Sequence, residues 1–247
     1  IKYHIMKYII LIMTFILPSS LTFSQVGENL DNDKFSALYL VTSTHIDEKG
    51  KEYHSIPAEF ELLYDSKMSQ FEYIPKINNR QEEGDFFTMA SSGIIFVNLE
   101  QNKMYERKSS LGKNYFIEDS IPKFNWKLIS DDEKKFKTYI LKKAIYENLE
   151  DNIIVTAYYS EEMTCPFGPS LYGGLPGLIF EIQIEKKYGN NLKDITYYNL
   201  VEIKNTNKEF KKINFTKSIT YEEYQKLYKK ALKNMMEMNN GGVDTSD

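Results

Sequence analysis

The chain has 247 residues, 42% hydrophobic and 27% charged, with 19 Tyr, 15 Phe, one Trp, one Cys and three His. An aromatic share of 14% supplies ample surface to bury, which excludes overall disorder, and one cysteine excludes an intrachain disulfide framework. With 31 basic and 35 acidic groups the net charge is −4, so the molecule as a whole does not attract nucleic acid.

Residues 1–25 read as an export signal with its start at Met6. Lys7 precedes an apolar run from Ile9 to Leu17, Pro18-Ser19-Ser20 break the run, and small or polar residues lead to an expected cut after Gln25. The run is far short of the roughly 20 residues needed to cross a bilayer, so no transmembrane span is expected once it is removed. The expected destination is the periplasm or the exterior. Cleavage would remove Lys2 and Lys7 and no acid, leaving a net charge of −6.

From residue 26 onward the dominant pattern is alternation of apolar and polar residues, the mark of half-buried strands. About eleven segments show it. They are Ser36–Thr44, Ala58–Tyr64, Gln70–Pro75, Ile94–Leu99, Lys103–Ser109, Tyr115–Asp119, Asn125–Ile129, Tyr139–Tyr146, Ile153–Ser160, Leu178–Glu185 and Ile195–Lys204. Short polar connections between them favour an antiparallel meander over a parallel sheet, and a sheet that wide must curl or split. Tyr221–Met238 differs: its apolar residues recur at steps of three and four. Thr220 and Glu223 form a T-x-x-E capping box, and Lys226, Lys229, Lys230 and Lys233 occupy the opposite side. The expected fold is therefore mainly β, a single curled antiparallel sheet of half-barrel form in one domain over 26–238. The C-terminal amphipathic helix lids it in part, and 239–247 form a loose tail. The sheet's concave face is expected to keep spare room beneath that lid.

Several residues could carry chemistry. His45 and His54 flank an expected turn at Glu48–Lys51, where a hairpin could bring two imidazoles together beside Asp47 or Glu52; the spacing does not demand a metal, and none is assigned. Cys165 could act as a nucleophile only with a base beside it, and is otherwise a small buried residue. Acidic pairs stand at Glu82-Glu83, Asp131-Asp132 and Glu161-Glu162. The first two read as solvated turns, whereas Glu161-Glu162 ends an apolar strand next to an unusual loop. No nucleophile elbow, phosphate loop, zinc-protease helix or dinucleotide fingerprint is present, so no cofactor is expected.

That loop is Gly168-Pro169-Ser170-Leu171-Tyr172-Gly173-Gly174-Leu175-Pro176-Gly177-Leu178-Ile179. Pro176-Gly177 suit the centre of a type II turn with positive φ at the glycine, while Gly173-Gly174 permit a close backbone approach or a bulge. Gly174–Ile179 spell the motif that names the GLPGLI family of secreted bacterial proteins, also called Porph_ging. Tyr115–Asp119, Trp126-Lys127-Leu128, Lys143-Ala144 and Ala157-Tyr158-Tyr159 resemble the family's upstream blocks in order. The resemblance implies export and a mostly β fold, and it implies no reaction.

The expected function is non-enzymatic binding of an apolar ligand or peptide segment on the concave face, through Tyr158, Glu161, Tyr172, Leu175, Pro176, Leu178 and Phe180. The alternatives are an assembly module that pairs with another envelope protein, and a hydrolase using Glu161 or Glu162. The hydrolase reading requires one of those carboxyls to be buried and facing a pocket.

Overall fold

A computed structural model describes residues 30–76, 86–87, 93–110, 112–212 and 217–240. The expected signal over 1–25 and the Glu82-Glu83 pair lie outside this range, as does the tail from 241; Asn239 and Asn240 belong instead to the helix. The strands are β1 (Lys34–Ile46), β2 (Glu52–Ile56), β3 (Ala58–Asp65), β4 (Met68–Ile74), β5 (Phe86–Phe87), β6 (Ile94–Asn98) and β7 (Lys103–Ser110), followed by β8 (Lys113–Ser120), β9 (Lys127–Phe136), β10 (Tyr139–Asn148), β11 (Ile153–Ser160), β12 (Leu178–Lys187) and β13 (Lys193–Asn205). A helix, α1 (Tyr221–Asn240), follows.

Eleven strands pair side by side in the order β8-β7-β6-β4-β3-β1-β13-β12-β11-β10-β9, every neighbour antiparallel. β2 forms a hairpin with β1, and β5 adds to β2 in parallel. Two meanders thus meet at the long β1–β13 pair. The expected curled antiparallel sheet with a terminal helix is the architecture observed.

The connectivity shows why the sheet curls. β8 and β9 lie at opposite edges, yet only residues 121–126 join them. Laid flat, eleven strands at normal spacing would separate those edges by about 48 Å, whereas the connection reaches about 25 Å at most. The edges must therefore approach each other. Strict alternation also makes β8 and β9 run in the same direction, so the crossover passes diagonally over the concave face rather than turning as a hairpin.

Period-two alternation sets the core. Phe35, Ala37, Tyr39 and Val41 of β1 are fully buried on one face, opposite Phe60 and Leu62 of β3 and Tyr198 and Leu200 of β13. A single sheet cannot cover its own inner face; a second layer is needed. The β11–β12 connection supplies it: Met163, Cys165, Phe167 and Leu175 are all buried against that face. Tyr64 stacks edge-on against Phe167 at 5.8 Å and donates its hydroxyl to the Thr164 carbonyl at 3.2 Å. Much of the room expected beneath the lid is thus filled by the chain itself.

After β13 the chain crosses the convex face. The Lys208 ammonium pairs with Glu61 at 2.7 Å, and the Lys211 amide donates to Gln70 at 2.7 Å. Ile219 then bridges the outer edge of β8, exchanging backbone hydrogen bonds with Phe116 and Glu118. The capping box forms: Thr220 Oγ1 accepts from the Glu223 amide at 3.2 Å and Glu223 Oε2 accepts from the Thr220 amide at 2.8 Å. Helix α1 turns over that edge, and Tyr224 packs on Tyr115 at 5.2 Å.

Two further sequence expectations change. Asp131–Lys135 lie inside β9 rather than in a turn. The register against β10 jumps from Glu133 to Ile129, so Ser130, Asp131 and Asp132 form a bulge in a charged edge strand, a device that discourages edge-to-edge association. Gly177 does not take positive φ; in the motif loop the left-handed residues are Ser170 (φ 59°) and Gly174 (φ 82°).

Candidate functional site

The motif loop is held by close backbone packing. A Cβ added to Gly177 would lie 1.9 Å from the Ser160 carbonyl oxygen, and one on Gly173 would lie 2.6 Å from that of Pro166. The absence of side chains at these two positions lets the loop lie directly on the end of β11 and fold back on itself. The Gly174 amide donates to the Pro166 carbonyl at 2.8 Å, and the Leu178 amide to that of Met163 at 2.9 Å.

Onto this loop the crossover docks. Trp126 Nε1 donates to the Gly173 carbonyl at 2.9 Å. Phe124 lies 5.1 Å from both Tyr172 and Tyr146, which ties the crossover to the loop and to β10. Burial pushes the Tyr172 hydroxyl up to about 12, helped by Tyr146 and Tyr221 nearby. Burial also raises the Tyr198 hydroxyl, reinforced by Tyr172 and partly offset by a hydrogen bond with Ser170.

Between the crossover, the loop and the β6–β7 hairpin a cavity of about 420 Å³ remains. Val97 and Leu99 form one wall and Ile121, Pro122 and Phe124 another, with Leu171 and Tyr172 closing the third side. Ser69, Asn102, Asn125 and Ser170 supply neutral polar groups, and Lys123 is the one charged lining residue among those described. The volume lies within the range of small-ligand sites, and apolar walls with a few polar groups are their common composition.

The residues singled out from the sequence scatter. Tyr172 lines the cavity. Leu175, Leu178 and Phe180 are buried in the core, and Pro176 is exposed. Tyr158 stands on the other face of the sheet, its hydroxyl donating to Asp132 at 3.4 Å with the Lys134 ammonium 3.7 Å from its ring centroid. Glu161 is an exposed partner of Lys142 at 2.7 Å, and Glu162 is exposed and accepts the Ile140 amide at 3.0 Å. Neither carboxyl has the desolvated setting that the hydrolase reading requires.

The expected turn at Glu48–Lys51 forms and closes a β1–β2 hairpin, but the hairpin does not join the histidines. Thr44 faces His54 and Tyr53 faces His45, so the imidazoles fall on opposite faces; His45 pairs with Asp194 at 2.7 Å and His54 with Thr44 at 3.1 Å. Among the described residues no cluster of three metal-ligating side chains exists. Cys165 is buried, its thiol pushed up to about 12 by desolvation, and it donates to the Phe167 carbonyl at 3.5 Å. The crossover contribution, Ile121 to Phe124, had a readable signal in the sequence: an apolar, proline-bearing connection between two strands.

Residues 117–181 match the Porph_ging family model, described as a protein of unknown function. The Porph_ging segment runs from β8 into β12 and contains both the crossover and the motif loop. No curated protein matches the chain. In fold it resembles the structure of PNGF-II in the P21 space group, with a TM-score of 0.52 at 16% identity over 80% of this chain and 34% of that one. The structure of PNGF-II in the C2 space group gives a TM-score of 0.46 at 15% identity, over 78% of this chain and 33% of that one. The chain therefore spans about a third of PNGF-II, and at this identity the likeness is one of fold alone.

Proposed function

We propose that the protein is an exported, non-enzymatic binding module of the cell envelope. It takes a small apolar ligand in the cavity between the crossover and the Porph_ging motif loop. The observation that carries this reading is the 420 Å³ space itself, walled by Val97, Leu99, Ile121, Phe124 and Leu171 and bounded by neutral polar groups suited to orienting a ligand. The exposed, already paired Glu161 and Glu162 and the sealed Cys165 thiol favour binding over catalysis. The apolar run Ile9–Leu17 supports export.

The test combines solvent extraction of the purified protein, followed by mass spectrometry, with titration by an apolar fluorescent probe. A co-extracted apolar molecule, or saturable one-to-one probe binding, is expected. Ser69→Leu, which places methyl groups in the cavity, should weaken probe binding at least about tenfold. Failure to detect either ligand or probe binding refutes the proposal. Recovery of a chain beginning at Val26 from the periplasm or the medium tests export separately.

A further inference from the structure

The apolar stripe of α1 is longer than the surface that it covers. Tyr224 is buried and Tyr228 half-buried against the β8 end of the sheet. Beside and beyond them the stripe stays open at Leu227 and Met235, each 45% exposed, on the same side as the half-buried Ala231 and Leu232. At 3.6 residues per turn the apolar residues from Tyr221 to Met235 occupy an arc of about 140°. Lys226, Lys229, Lys230 and Lys233 share the opposite arc of about 100°. Residues 224–235 hold four lysines and no acid, in a chain whose net charge is −4. Glu222 and Glu237 flank this stretch and pair with Lys226 at 2.7 Å and Lys233 at 3.7 Å, so the whole helix, with four lysines against three glutamates, is amphipathic and carries a net +1 on an acidic body.

We infer that the outer turns of α1 dock in the plane of an anionic lipid surface. The apolar arc faces the acyl boundary and the lysines are held at the level of the acidic headgroups. Three observations select this occupant over a protein groove. The charge segregation is complete over three turns. The apolar residues are two Leu, an Ala and a Met that can sink shallowly rather than bulky anchors shaped for a pocket. Long lysine stems can reach back toward headgroups from the opposite arc. The docking surface is separate from the cavity proposed above, so either can fail without the other.

The test is co-sedimentation with vesicles of phosphatidylglycerol and phosphatidylethanolamine, compared with vesicles of phosphatidylcholine alone. The chain should begin at Val26, because the Ile9–Leu17 run would insert by itself; every described element is retained. Binding to the anionic vesicles, weakened by salt, is expected. Lys229→Gln with Lys230→Gln and Lys233→Gln should weaken it about a hundredfold, at about fivefold per lysine. Leu227→Gln with Met235→Gln should reduce it at least tenfold even at low salt, about the worth of two partly buried side chains. All five positions are exposed, and an unchanged melting temperature will show that the fold is kept. Equal binding to both vesicle types, no binding, or variants that bind like the parent overturns the inference. So does self-association in sedimentation velocity that the same variants abolish, since the stripe would then serve a second copy of the chain.

Discussion

Replacing Gly177 by alanine gives the sharpest test of how the motif loop is held. The added Cβ would sit 1.9 Å from the Ser160 carbonyl oxygen, 2.5 Å from its carbon and 2.9 Å from Glu161 Cα. All three atoms are backbone, so no side chain can swing aside. Because Gly177 has no positive φ, the cost is steric and not conformational. Either the loop lifts from the end of β11, opening the contacts of Met163 and Leu178, or the strand end is displaced. Overpacking of this kind costs about 3 kcal/mol or more, near the top of the usual range because backbone must move. Gly174→Ala is the internal comparison. There φ is 82° and no atom lies within 4 Å of the new Cβ, so only the left-handed backbone is penalised, by about 1–2 kcal/mol. In a domain of this size, 1 kcal/mol shifts the melting temperature by about 2–4 °C. Thermal unfolding followed by circular dichroism should therefore show Gly177→Ala losing about 6–12 °C and Gly174→Ala less than about 8 °C. If Gly177→Ala melts with the parent, or above Gly174→Ala, the close-approach argument is refuted.

Trp126→Phe removes the hydrogen bond to Gly173 and should cost about 1–2 kcal/mol in urea unfolding followed by circular dichroism, with Trp126→Tyr no better because its hydroxyl lies elsewhere. As the sole tryptophan, Trp126 should also report probe entry into the adjacent cavity by quenching, an effect absent if the probe binds elsewhere. Burial favours the neutral forms of Cys165 and Tyr172, whose folded values are pushed up to about 12, so the folded state keeps protons that the unfolded chain releases. This stabilisation is full below about pH 9 and is lost as pH rises toward 12, so the urea midpoint should fall between pH 8 and pH 10.5. A flat midpoint contradicts the assignment, as does thiol labelling of the native protein less than about a hundredfold slower than that of the unfolded chain. Thr220→Ala breaks the capping box and should cost about 1 kcal/mol, measured by urea unfolding, with Thr220→Ser restoring most of it.

Most of the strands were readable because their burial is one-sided, and one-sided burial writes itself as alternation. β9 shows the limit. Its Asp131–Lys135 run carries no apolar face because it borders solvent at a free edge, so the sequence resembles a turn while the backbone stays extended. β6 shows the opposite limit: Ile94, Ile95, Phe96 and Val97 are all buried, since the inner face meets the core and the outer face is covered as well. Period two vanishes there, and only the β-branched and aromatic composition marks the strand. For the site, the motif loop was visible as a stretch of constrained backbone, but what its apolar residues do was not. Leu175 and Leu178 lie buried in the core, whereas Leu171 and Tyr172 close a cavity otherwise walled by residues from the crossover and a distant hairpin. Sequence spacing reports the face on which a strand residue lies; it does not report that a loop will fold inward and become the second layer.

The crossover and the motif loop answer one geometric problem. A sheet whose two edge strands run in the same direction cannot be joined at its seam by a hairpin, so the joining segment must cross the concave side. A segment of six residues has no internal hydrogen-bond ladder and needs a platform. The motif loop provides one, at the height where Gly173 presents its carbonyl to Trp126 and Tyr172 meets Phe124. That platform can sit low enough only because Gly177 and Gly173 place backbone against backbone. The Porph_ging match over 117–181 encloses both parts, from the strand before the crossover to the strand after the loop. On this argument the glycines of the motif fix the depth of the loop, that depth fixes the path of the crossover, and the gap left between the two is the cavity.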